Sequence, residues 1–105
     1  MTILKLMLAV VVLSALTLSA EMHTVIQKDR AFSVAEITIK PGDYLRFKND
    51  DDVTHNVFSM SPNMQFDIRR QAPGKSSDVQ FSKEGTAEVR CAIHPRMKLI
   101  VTVKK

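Results

Sequence analysis

Cysteine is nearly absent from this sequence. Cys91 stands alone, so no internal disulfide can staple the fold. Nor does any stretch of the chain beyond the first twenty residues keep a helical period, which excludes a helical bundle. No internal repeat or low-complexity segment divides the chain, and its 105 residues suffice for one domain and no more. No stripe of basic residues interleaves with aromatics, so a nucleic-acid binder is excluded. The net charge is +4, with Asp50, Asp51 and Asp52 together and Arg69 beside Arg70. Such a mixed, mildly basic surface suits acidic protein partners.

The apolar residues are distributed unevenly. Lys5 and the amino terminus supply a positive start, and Leu6 to Leu18 follow without a charge. Small residues at Ser19 and Ala20 then precede Glu21. This order is that of a secretory signal, with cleavage expected after Ala20. The alternative is an uncut membrane anchor, but the run is short of the ~20 residues a spanning helix needs. The expected division is therefore a leader over residues 1–20 and one folded domain over residues 21–105.

That domain reads as short strands between turns. Strands are expected at Thr24 to Gln27, Glu36 to Lys40, Tyr44 to Lys48, His55 to Ser59, Ser77 to Phe81, Thr86 to Cys91 and Leu99 to Lys104. Ile37 with Ile39, Leu45 with Phe47, and Leu99 with Val101 and Val103 each share one face by period two. Pro41-Gly42-Asp43 is a turn, since Pro sets φ and Gly permits φ > 0, and its flanking strands look like a hairpin. Ser61 to Gly74 reads as a loop with one irregular strand near Phe66 to Ile68. Many short strands with regular turn signals point to an all-β Greek-key sandwich.

A single thiol in an oxidising compartment is a liability unless it is buried or bound to metal. An intermolecular disulfide is the alternative. The segment Cys91-Ala92-Ile93-His94-Pro95-Arg96-Met97 places a thiolate, an imidazole and a thioether in one loop between two strands. Soft sulfur with borderline nitrogen suits copper in both oxidation states. A trigonal site needs a second imidazole, and His55 qualifies because it opens a strand after the polar Asn49 to Thr54 loop. His55, Cys91 and His94 with a weak axial Met97 make a His2Cys arrangement for one copper ion. Zinc competes on ligand type, but structural zinc takes four strong ligands and a thioether is a poor one. Taken singly, each residue has an ordinary packing or surface explanation; their conjunction favours metal.

These motifs, with Lys40-Pro41-Gly42-Asp43, Thr54-His55-Asn56-Val57 and the Val-rich final strand, resemble the cupredoxin (type 1 blue copper) family. The C-x2-H-x2-M spacing is most similar to amicyanin and to plastocyanin-like methylamine-utilisation proteins. The resemblance implies a cupredoxin fold, with Cys91 the thiolate ligand, His55 the buried imidazole, His94 the imidazole whose edge reaches solvent, and Met97 the axial thioether. Asn56 matches the asparagine that braces the two ligand segments, and Pro95 lies within the ligand loop. Ala92 departs from the family, which often has Ser or Thr there, so backbone groups must replace that hydroxyl.

The function expected from this set is one-electron shuttling in the periplasm between redox partners, such as a c-type cytochrome or a periplasmic dehydrogenase. Arg96 and Lys98 would steer an acidic partner to a weak, salt-sensitive contact of the kind that transient redox encounters make. No substrate bond changes, so the chain is not expected to be an enzyme, and a monomer is expected. Copper delivery or storage is the alternative. A further motif is Glu21-Met22-His23, where a free amine, two amides and an imidazole can form a square-planar chelate for Cu(II) or Ni(II) if Ala20 is removed. The competing reading makes His23 simply the start of the first strand.

Overall fold

The computed structural model describes residues 19–105, so the expected leader lies almost wholly outside the described residues. Nine strands follow one another: β1 (Met22–Lys28), β2 (Ala31–Phe32), β3 (Glu36–Ile39), β4 (Asp43–Asn49), β5 (His55–Ser59), β6 (Phe66–Gln71), β7 (Ser76–Phe81), β8 (Gly85–Cys91) and β9 (Lys98–Val103). They form two sheets, ordered β2-β1-β4-β7 and β3-β9-β8-β5-β6. The all-β sandwich expected from period-two alternation is the fold found.

Alternation decides what each strand buries. In β4, Leu45 and Phe47 face inward, and in β9 Leu99, Val101 and Val103 do so; all five are at most 1% exposed. Burying a side chain of this size stabilises the fold by about 1.5–3 kcal/mol each, before entropy is counted. Phe66 of the second sheet lies between Phe47 and Phe81 of the first, with ring centroids 5.9 and 5.8 Å away. The sheets are thus joined by aromatic contacts as well as aliphatic ones.

The hairpin expected across Pro41-Gly42 does not form. β3 pairs in parallel with β9, whereas β4 pairs with β1 and β7 in the other sheet. The turn itself exists: Asp43 N donates to Lys40 O at 3.0 Å, and Gly42 has φ 95°. It carries the chain from one sheet to the other. Alternation specifies which face a strand buries, not which strand it pairs with, and here both apolar faces meet across the sandwich. The irregular strand within Ser61–Gly74 is β6, longer than its apolar piece and interrupted by a bulge opposite Val57, where Arg69 adopts φ 59°.

A polar layer closes one end of the sandwich. Gln27 Nε2 on β1 donates to Gln71 Oε1 on β6 at 2.6 Å, and Gln71 Nε2 donates to Phe47 O at 2.7 Å. Asn49 Nδ2 reaches Val53 O and Gln71 O, each at 2.9 Å. Gln71 stands opposite His55 in the β5–β6 register. These buried bonds tie the ends of β1, β4 and β6 together where β5 begins.

Candidate metal centre

His55 opens β5 and Cys91 closes β8. Because these antiparallel strands pair Val57 with Cys91, the two residues arrive at the same end of one sheet. The loop from Ala92 to Met97 then turns back into β9. Met97 N donates to His94 O at 3.0 Å, closing that turn. His55, Cys91 and Met97 are at most 2% exposed, while His94 is partly exposed. Cys91 and Met97 are buried but stand apart from the contiguous apolar core.

Three donor atoms converge. Cys91 Sγ lies 3.7 Å from His55 Nδ1 and 3.9 Å from His94 Nδ1, and the two Nδ1 atoms are 3.2 Å apart. The point equidistant from the corners of that triangle is about 2.1 Å from each, close to the ~2.0–2.3 Å of first-row metal bonds to imidazole and thiolate. A single ion therefore fits between donors that would otherwise crowd one another. Two imidazoles and one thiolate are the donor set of a trigonal copper site.

The second ring nitrogen of His55 is also engaged. His55 Nε2 lies 2.9 Å from Asp51 Oδ2, and both side chains are buried. With Nε2 donating to this carboxylate, Nδ1 is left free to bind a metal. Arg30 N donates to the same Asp51 oxygen at 2.8 Å, and Asp52 N donates to Oδ1 at 2.9 Å. The Arg30 backbone bond, aided by His55, holds the Asp51 carboxyl well below the usual carboxylate range, against the opposing effect of burial. Asp51 is the residue that the sequence reading missed, noted there only as one of three adjacent acids. Its position four residues before His55 was the available signal.

Backbone groups of Asn56 and Ala92 surround Cys91. Asn56 N donates to Cys91 Sγ at 3.3 Å, and Ala92 N donates to Asn56 O at 3.0 Å. Backbone groups thus join the two ligand segments where Ala92 offers no hydroxyl. Asn56 Oδ1 is buried without a hydrogen-bond partner. Arg90, another residue not singled out from sequence, donates through Nη1 to Pro95 O at 3.1 Å and through Nε to Glu88 at 2.6 Å. It anchors the ligand loop to β8. Ala92, Ile93, Pro95, Arg96 and Lys98 are all exposed around His94.

Residues 20–104 match the family model of copper-binding proteins of the plastocyanin/azurin family. Among curated protein sequences none matches the chain. Solved structures share the fold. A purple cupredoxin from Nitrosopumilus maritimus is 24% identical over 82% of this chain and 100% of that one, with a TM-score of 0.68. An amicyanin variant in the Cu(I) state is 20% identical over 77% and 80%, with a TM-score of 0.72. A copper-containing nitrite reductase from Thermus scotoductus SA-01 is 24% identical over 78% of this chain, at a TM-score of 0.73. The chain spans only 22% of that enzyme, so this likeness concerns a part of it alone. The converging donors and the match over nearly the whole described domain support one copper ion: the chain belongs to the plastocyanin/azurin family of copper-binding proteins, the cupredoxins.

Proposed function

We propose that the chain is an exported one-electron carrier whose copper is held by His55, Cys91, His94 and Met97. The observation that carries this reading is the triangle of His55 Nδ1, Cys91 Sγ and His94 Nδ1, all drawn from a rigid strand pair and one braced loop. Copper bound there would take one electron from a donor as Cu(II) and release it to an acceptor as Cu(I). The protein's part is to keep the donors nearly fixed in both states. Burial of His55 and Cys91 excludes water from one side, and the bonds from Asn56, Arg90 and Asp51 limit movement of the ligands.

His94 is the electron port in this proposal, because it is the one imidazole of the three donors that reaches the surface. Ile93 is half exposed beside it, giving a small apolar contact with Arg96 and Lys98 at its rim. An acidic face on a c-type cytochrome or a periplasmic dehydrogenase is the partner this surface suits. Such steering is weakened by salt, because exposed charges are screened over about 8 Å at physiological ionic strength. The leader over residues 1–20, the periplasmic location and a monomeric state belong to the same proposal. With His55, Cys91 and His94 as strong donors and Met97 as a fourth ligand, the copper would keep no open position for a substrate, which supports a carrier rather than an enzyme. Delivery or storage would require the ligands to exchange readily, and burial of His55 and Cys91 argues against that.

Adding Cu(II) to the protein that begins at Glu21 tests the assignment. An intense visible charge-transfer band at one copper per chain is the expected result, abolished in Cys91→Ser. Tight but colourless binding would overturn the electron-transfer reading in favour of copper handling.

A further inference from the structure

A second group of metal-binding side chains lies at the other end of the sandwich. Asn49 and Gln27 close the copper end of β4 and β1, so Asp43 and His23, at the beginnings of those strands, are remote from it. The span of β4 alone is about 20 Å. β1 and β4 run parallel, with Met22 opposite Tyr44. This register brings Glu21, His23 and Asp43 together: His23 Nε2 is 3.0 Å from Asp43 Oδ2 and 3.8 Å from Glu21 Oε2. The three line a cavity of about 290 Å³ shared with Lys40 and Lys104.

We propose that Glu21, His23 and Asp43 form a second divalent-cation site, independent of the copper centre and suited to Zn(II). The donor set is one imidazole and two carboxylates, all acceptable to zinc. Donors of a tetrahedral zinc ion, bonded at about 2.0–2.1 Å, stand roughly 3.3 Å apart, between the two separations observed here. Asp43 is held ready: Glu21 N donates to Oδ1 at 3.0 Å and Lys40 N to Oδ2 at 2.9 Å. These backbone bonds keep its carboxyl ionised and aimed without using the side chains of the cluster. An ion entering between His23 and Asp43 replaces their direct contact. Glu21 is largely exposed and closes over it, leaving a further position for water. The nearby lysines oppose a cation, so the site is weaker than the copper centre.

The same segment carried a different expectation from sequence, a square-planar chelate of the Glu21 amine, two amides and His23. Tertiary structure separates the two. The β1 backbone is paired with β4, Glu21 O accepting from Tyr44 N at 2.9 Å, and His23 faces Asp43. A chelate through backbone amides requires that pairing to break. A side-chain site needs Asp43 and does not require a free amine at Glu21.

The copper-loaded protein, titrated with Zn(II) and followed by His23 ring signals in NMR, tests the proposal. One additional zinc per chain is expected, with the blue absorption unchanged and the binding kept in protein that retains Ala20. His23→Gln is expected to weaken that binding by about tenfold or more, equivalent to ~1.4 kcal/mol, and Asp43→Asn to do the same. His23→Gln leaves the bonds from Glu21 N and Lys40 N to Asp43 intact, so its result stands even if Asp43→Asn unfolds. Zinc that leaves the His23 signals unmoved, binds His23→Gln equally well, or requires a free amine at Glu21 would overturn it. Loss of the blue band on adding zinc would place the ion in the copper centre instead and would equally overturn it. Failure of the copper centre shows separately, as absence of the blue band before zinc is added.

Discussion

Asp51 is 8% exposed and yet charged, because backbone N–H groups from Arg30 and Asp52 and the imidazole of His55 all donate to it. A buried carboxylate behind a metal-binding imidazole orients the ring and makes the ligand more basic, which favours the more highly charged ion. Asp51→Asn keeps the shape and one acceptor oxygen for Arg30 N and His55, but it removes the charge and turns the oxygen that faces Asp52 N into a donor. It is expected to lower Cu(II) affinity about 10–100-fold while the apo protein remains folded, as competition with a chelator and circular dichroism will measure. Unchanged Cu(II) affinity would show that Asp51 acts only as a structural acceptor. Ala92 illustrates a different adjustment. Its backbone N–H ties Cys91's loop to Asn56, while Asn56 Oδ1 is left without a partner. The loop is therefore held by main chain on one side and by Arg90 on the other.

The tightest turn among the elements of the first sheet also serves the copper end. β1 and β2 join through Asp29 and Arg30, both at positive φ, 52° and 56°. Two consecutive residues of this kind define a type I′ hairpin, for which Asn-Gly is favoured. Arg30 is costly there, but its backbone N–H is aimed at Asp51. Arg30→Gly preserves that donor and relieves the conformation, so it is expected to raise stability by about 0.4–1 kcal/mol, read as a higher urea midpoint. A lower midpoint would mean that the Arg30 side chain supplies more than its backbone does. The β5–β6 bulge is an element-scale feature of another kind. It inserts one extra residue opposite Val57, so that Gln71 still meets His55 while Phe66 meets Ser59.

At the scale of the molecule, the two ends of the sandwich are held differently. The copper end has a buried polar layer, and the far end has Asp43, which collects Glu21 before β1, the turn before β4 and His23. Bonds from Glu21 N and Lys40 N, and then His23, push Asp43 down to about 2 from an ordinary 3.8. A carboxylate lowered in the folded state stabilises it above the ordinary value, and this contribution disappears as pH falls through the lowered one. The contribution is on the order of 1–2 kcal/mol, reduced by solvent screening near the surface. Wild type is therefore expected to exceed Asp43→Asn in stability at pH 6, with the gap closing between about pH 4 and 2. Denaturant titrations of the two apo proteins across that interval will measure it, and a gap independent of pH would exclude this origin.

Much of the fold, and the loop able to grasp a metal, was legible in the sequence alone. Alternation over Leu99, Val101 and Val103 identified the buried face of β9 because side-chain direction in a strand is a local property. Cys91, His94 and Met97 were recognisable together because seven residues of one loop cannot carry them far apart. Pairing was not local. Every exposed strand edge offers the same N–H and C=O groups, so the neighbours of β3 and β4 depended on how the two apolar faces met, and the expected hairpin gave way to a crossing between sheets. The same holds for polar partners. His55 was identifiable by its type, but only the folded chain brings its Nδ1 to Cys91 and its Nε2 to Asp51, brings Arg30 N to that carboxylate, and sets Glu21 and His23 beside Asp43. Sequence by itself determined which residues turn inward and which loop can grasp a metal; tertiary structure decided what lies behind each ligand, since contacts between residues far apart in the chain exist only after the sheets have packed.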